Sequence, residues 1–95
     1  MDAANIKIAA NTAAVTSDAF DLFGESKIIA FELEGDEYAK LLEEEPGGTY
    51  IPVIDKAGVG ILVTAQQPSV IITGYGSYKL YKTATTNAVA VAVLS

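Results

Sequence analysis

The sequence predicts an all-β protein: an antiparallel β-sandwich, immunoglobulin-like in layout, with seven or eight strands and at most one short helix. Three observations lead there. Short runs alternate apolar and polar residues with the two-residue period of a strand. Gly, Pro, Asn and Asp interrupt these runs about every 8–12 residues, the rhythm of sandwich strands and their turns. The recurrent crossover helices that a parallel α/β sheet requires are missing. A chain of 95 residues is read as one domain, residues 1–95, because separate cores rarely form at this size.

In chain order, "NIKIAA" (5–10) sets Ile6, Ile8 and Ala10 on one face of a first strand. Ala10, Ala13, Ala14 and Val15 suit either an arm that orders on a partner or a plain edge strand. "AFDLF" (19–23) turns Phe20 and Leu22 to one side and is expected to stop at Gly24. "KIIAFELE" (27–34) aligns Ile29, Phe31 and Leu33 against Ile28, Ala30, Glu32 and Glu34, one side apolar and the other increasingly acidic. In "DEYAKLLEEE" (36–45), Tyr38, Leu41 and Leu42 sit at helical spacing among good helix formers, which favours a short helix over an exposed strand. "PGG" (46–48) ends it. "TYIPVID" (49–55) carries Pro52, which places it at a sheet edge or at a bulge. "DKAG" turns into "VGILVT" (59–64), and "AQQP" leads to "SVIIT" (69–73). "GYG" then reads as a tight turn into "SYKLYK" (77–82), and "TATTN" separates that run from a Val-rich last strand, residues 88–94.

Composition excludes several kinds of chemistry. The chain has no Cys, no His, no Trp and, among its six basic residues, no Arg. Disulfides, thiolate metal sites and Cys nucleophiles are therefore ruled out, together with the usual proton shuttle near neutral pH. A net charge of −6 without Arg repels phosphate backbones and anionic lipid headgroups, so neither nucleic acid nor membrane is an expected partner. The first residues, "MDAANIKIAAN", show neither a basic n-region nor a long apolar core of a signal peptide, and no apolar run approaches the roughly 20 residues of a membrane span. The expected site of synthesis is a cytoplasm.

Candidate chemistry lies in three places. Glu32, Glu34, Asp36, Glu37 and the run Glu43, Glu44 and Glu45 could offer oxygens to calcium, but the alternating spacing of a calcium loop is absent, and a solvated acidic face is the favoured reading. A carboxylate pair for glycoside hydrolysis would also need sugar-stacking aromatics in a cleft. The hydroxyls of Thr12, Thr16, Ser17, Thr83, Thr85 and Thr86 have no His to activate them. No catalytic, metal or cofactor-binding residues are assigned, and the chain is expected not to be an enzyme. Among the tyrosines, Tyr78 shares a face with Leu80 and is read as core, while Lys79 and Tyr81 share the opposite face. Tyr75, between Gly74 and Gly76, is read first as an exposed residue of a plain turn; Tyr75, Tyr81 and Lys79 are the candidates for a protein contact.

The stretch "SVIITGYGSYKLYKTATTNAVAVAV", with "GGTYIPVIDKAGVGILVTAQQP" before it, resembles small β-sandwich virion structural proteins of tailed bacteriophages. In these, a hydrophobic strand meets a Gly-x-Gly turn, a Tyr-basic-hydrophobic strand, a Thr-rich turn and a Val-rich final strand. The likeness covers about half of the chain and is structural in character, not catalytic. It departs at Lys79, where such strands more often carry Arg, and in the acidic segment 36–45. The resemblance implies a capsid decoration (cement) protein in the virion, docking on the major coat protein or another virion protein as a homo-oligomer or in many symmetric copies. A head or tail accessory is the near alternative. A carbohydrate- or receptor-binding module using Tyr75, Tyr81 and nearby Thr is the reading from another class.

Overall fold

The computed structural model describes residues 5–54, 58 and 60–94, and every regular element among them is a strand. The strands are β1 (Asn5–Asn11), β2 (Val15–Thr16), β3 (Phe20–Ala30), β4 (Tyr38–Glu44), β5 (Tyr50–Pro52), β6 (Leu62–Thr64), β7 (Ser69–Lys82) and β8 (Val89–Leu94). All pairings are antiparallel, and one open path runs β1-β8-β3-β7-β4-β5, with β2 added to β7 and β6 to β4. The opposite ends of this path meet in a single core. Ile8, Val89, Val91 and Val93 from the β1–β8 end share one buried cluster with Ala39, Leu41 and Val63 from the β4–β6 end. The sheet therefore folds over on itself into a sandwich-like all-β structure. Two long strands make the fold possible, because β3 and β7 pass from one layer into the other.

Strand β7 is the spine. Its first part pairs with β3 from Ser69↔Ile29 to Tyr78↔Phe20, and its last part pairs with β4 from Tyr78↔Glu43 to Lys82↔Ala39. Leu80 faces Leu41 across that second ladder, and both are fully buried. Side chains of this kind each contribute about 1.5–3 kcal/mol of burial free energy. Along the other side of β7, Thr16 pairs with Tyr81 while Phe20 pairs with Tyr78, so the chain from β2 to β3 carries one extra residue. Ser17 stabilises this bulge: its N–H donates to the Leu80 carbonyl (2.8 Å), and its hydroxyl accepts from the Leu80 N–H (2.9 Å) and donates to the Asp18 carbonyl (2.8 Å).

Five sequence expectations change. Residues 38–44 form a strand, not a helix. Ala39 and Leu41 are buried; Ala39 pairs with Lys82 of β7 and Val63 of β6, and Leu41 pairs with Leu80 of β7 while its carbonyl accepts the Val53 N–H at 3.0 Å. A central strand with two partners outweighs the helix propensity of Ala, Lys, Leu and Glu. "GYG" is not a turn, since β7 runs unbroken through it, and Gly24 likewise does not end β3. Gly24 stands directly opposite Gly74 in the continuous β3–β7 ladder. Gly24 (φ 137°) and Gly76 (φ 119°) adopt backbone conformations that side chains rarely allow, and this lets both strands twist sharply without breaking. On β1, Ile8 is buried but Ile6 is 61% exposed. An irregularity between their pairings with Val91 and Ala92 reverses the phase. Within 27–34, Ile28, Ala30 and Leu33 are buried, while the strand ends at Ala30 and Phe31 just past it is exposed. Pro52 does lie on an edge strand, β5. Most of the "DKAG" turn and Val59 fall outside the described residues.

Candidate functional site

The outer face of β7 and its neighbours gathers Phe23, Tyr38, Tyr50, Tyr75 and Tyr81. Odd-numbered residues of β7 point outward, and their pairings define the face: Tyr81 opposite Lys40, Lys79 opposite Leu42, Ser77 opposite Asp21, and Tyr75 opposite Phe23. Four of the chain's five tyrosines therefore share one surface, since Tyr38 and Tyr50 join it from β4 and β5. Tyr78, on the even face, is buried, and its hydroxyl accepts the Tyr75 N–H at 3.2 Å.

Each expected contact residue has a distinct place on this surface. Tyr81 packs at a tilt against Tyr38 (centroids 6.4 Å apart), and the Lys40 ammonium sits 5.5 Å from its ring centre. Lys79 lies 4.6 Å over the ring of Tyr50, whose hydroxyl shares a 2.7 Å hydrogen bond with Ser77. These cation–π contacts are worth about 0.5–1 kcal/mol each at such sites, and they hold the lysines flat along the face. Tyr75 is different: it is 73% exposed and its cross-strand partner Phe23 is 81% exposed. The face thus has a braced half, made of Tyr38, Lys40, Tyr50, Lys79 and Tyr81, and a bare half, made of Tyr75 and Phe23. Sequence reading missed Phe23. The signal was present, because "AFDLF" has aromatic residues of both parities and one had to face outward.

The acidic residues do other work. Glu37 uses both carboxylate oxygens on the backbone, accepting the Glu34 N–H and the Thr86 N–H at 2.8 Å each. Asn87 donates to the Glu32 carbonyl (2.9 Å) and to the Glu34 carboxylate (2.7 Å). These bonds fasten the β3–β4 loop to the β7–β8 loop and account for the strained Glu32 backbone (φ 67°). Among the described residues, no set of three acidic side chains comes together as a metal site.

The backbone donors pull the Glu37 carboxyl below its ordinary value of 4.5, the Glu34 N–H most and the Thr86 N–H next, with a smaller contribution from the Lys82 charge. A carboxyl lowered in the fold contributes stability that is complete above about 4.5 and is lost as pH falls through the folded value. Glu37→Gln should therefore be less stable than the parent chain at pH 7. The gap should narrow steadily on acidification below pH 4.5, as read by urea denaturation across pH.

A buried cation lies behind this corner. Lys82 is completely buried, and its ammonium donates to the carbonyls of Ala13 (2.6 Å) and Thr83 (3.1 Å) and to the Thr85 hydroxyl (3.2 Å). The Thr85 hydroxyl in turn donates to the Asn87 carbonyl at 2.7 Å. Burial lowers the Lys82 value from the ordinary 10.5, and the Glu37 charge offsets part of that. Thr83 is also engaged, its hydroxyl accepting the Tyr38 N–H at 3.1 Å. Ser17, Thr83 and Thr85 thus serve the loops and the bulge.

With this geometry in hand, comparison with protein-family models, curated proteins and solved structures gives no match. The reading of function accordingly rests on the residues themselves.

Proposed function

We propose that this chain is a non-enzymatic virion structural protein, a capsid decoration protein that docks on a coat shell through the tyrosine-lined outer face of β7. The observation that carries the docking part is the cross-strand pair Phe23↔Tyr75, two large aromatic side chains left bare on a rigid ladder. Aromatic anchors on preorganised strands are what protein interfaces use at their energetic centres. Lys79 and Lys40, held against tyrosine rings, supply a polar rim that suits a partner surface with carboxylates. The virion part of the proposal is supported by the resemblance carried by residues 69–93.

Mass spectrometry of purified virions should find the protein at a copy number comparable with the coat protein. Phe23→Ala and Tyr75→Ala should each weaken attachment to the shell by about thirtyfold, the effect of a hot-spot residue. Because both side chains are exposed, neither change should alter stability by more than about 0.5 kcal/mol. Absence from the particle, or attachment unchanged in the Phe23→Ala, Tyr75→Ala double variant, would overturn the proposal. Selective glycan-array binding lost in Tyr75→Ala would instead assign the face to sugar recognition.

A further inference from the structure

Strand β3 has a second feature, on its edge instead of its face. β7 runs along one side of it from Phe20 to Ile29, but among the described residues β8 covers the other side only from Lys27 to Ala30. The Ala30 N–H donates to the Pro68 carbonyl at 3.0 Å. Counting back with the two-residue alternation of an antiparallel ladder, the even residues of β3 bond to β7. The N–H and C=O groups of Asp21, Phe23 and Glu25 therefore point away from β7, and no strand among the described residues pairs with them there. A cleft of about 280 Å³ opens along this edge, with Lys7 and Val93 on its far side and Phe20, Leu22 and Ser26 on its near side. The Lys7 ammonium lies 4.8 Å over the Phe20 ring at the rim.

We infer that this open edge of β3, residues 21–26, is a strand-addition site for an extended segment of a partner protein with the pattern basic-apolar-apolar-apolar-basic. The main-chain groups of Asp21, Phe23 and Glu25 form the ladder. The two basic side chains of the incoming strand stand opposite Asp21 and Glu25, and its central apolar residue stands opposite Phe23. The residues between them turn inward to the cleft beside Leu22, Phe20 and Val93. Charge decides the occupant. In a second copy of this chain, the antiparallel register that pairs the whole open stretch places Asp21 opposite Glu25, two like charges face to face. A basic strand meets the opposite sign at both positions.

The test uses the full chain, labelled with ¹⁵N, and the capped peptide acetyl-Val-Lys-Val-Phe-Val-Lys-Val-amide, beside a control with Glu in place of both Lys. The Lys peptide should shift the Asp21, Phe23 and Glu25 amides and slow their hydrogen exchange, and it should bind about tenfold more tightly than the Glu peptide. The variant Asp21→Lys/Glu25→Lys, whose changes are both at exposed positions, should reverse that preference while keeping the parent spectrum elsewhere. Three results would overturn the inference: slow exchange of these amides in the free chain, whether from an already closed edge or from a dimer; equal binding of both peptides; or shifts confined to Tyr50, Lys79 and Tyr81. The peptide experiment needs no virion, so its failure leaves docking through Tyr75 standing. Loss of shell attachment in Tyr75→Ala equally leaves the edge site in place.

Discussion

Lys82→Ala is expected to destabilise the fold by about 4 kcal/mol, the sum of a buried cavity and acceptors left unpaired, less the relief of desolvating a charge. The three acceptors around the ammonium, from Ala13, Thr83 and Thr85, belong to the β1–β2 loop and the β7–β8 loop. Three donors directed at three acceptors describe a protonated amine, with the Thr85 hydroxyl already donating elsewhere. Lys82 thus closes one end of the sandwich by a hydrogen-bonded cation in place of apolar packing. Lys82→Met keeps the stem and loses only the ammonium, and should cost about half as much. A domain of this length has about 5–14 kcal/mol of total stability, so the alanine change takes a large share. Urea titration measures both, with an unchanged slope expected if the native state stays compact. The local readout is hydrogen exchange at the Thr85 N–H, which bonds the Thr12 carbonyl at 3.0 Å and should exchange much faster in either variant. Parent-like stability in both variants would mean that the loops are held by something other than this cation.

Gly74→Ala should cost about 1–3 kcal/mol, and Gly74→Val more, because the inner face of β7 has no room at that point. A Cβ on Gly74 would stand 2.8 Å from the Tyr78 hydroxyl, 3.0 Å from Cζ of its ring and 3.3 Å from Cδ1 of Leu22. The Tyr78 ring covers this glycine, and its hydroxyl bonds the next residue's N–H, so the tyrosine fills the space a side chain would have taken. Displacing the ring would disturb the ladder that carries Tyr75 on its other face, so Gly74→Ala should also weaken docking, although residue 74 itself is buried. Tyr78→Phe removes the closest of the three contacts. The double variant Gly74→Ala/Tyr78→Phe should therefore be more stable than the sum of the single changes predicts. Strict additivity in thermal unfolding would show that the ring does not press on residue 74.

Much of the candidate face was legible in the sequence. In "SYKLYK", alternation alone separates Tyr78 and Leu80 from Lys79 and Tyr81, and the structure keeps that division. The same count puts Lys82 inward with Leu80; what obscures it is the expectation that a lysine belongs at the surface. Only its acceptors, from residues 13, 83 and 85, make burial tolerable, and all three lie in loops whose positions no local pattern reveals. Phe23 was hidden for a related reason. Its exposure follows from the phase of β3, and Gly24 appeared to end the strand that sets this phase.

The sequence by itself determined the strand period, the all-β class, that Pro52 sits at an edge or a bulge, and the sidedness of residues 78–81. Each of these depends on contacts between near neighbours along the chain, or on what a single residue's backbone permits. The tertiary structure decided the rest: that residues 38–44 are extended, that β3 and β7 continue through their glycines, that Ile6 and Ile8 part company, and that β3 keeps one edge open among the described residues. Those outcomes depend on which distant strand lies alongside. Residues 39–43 become a strand because residues 78–82 hold one edge, Gly24 continues a strand because Gly74 lies opposite, and Asp21, Phe23 and Glu25 face a cleft because, among the described residues, β8 pairs with β3 only from Lys27 onward.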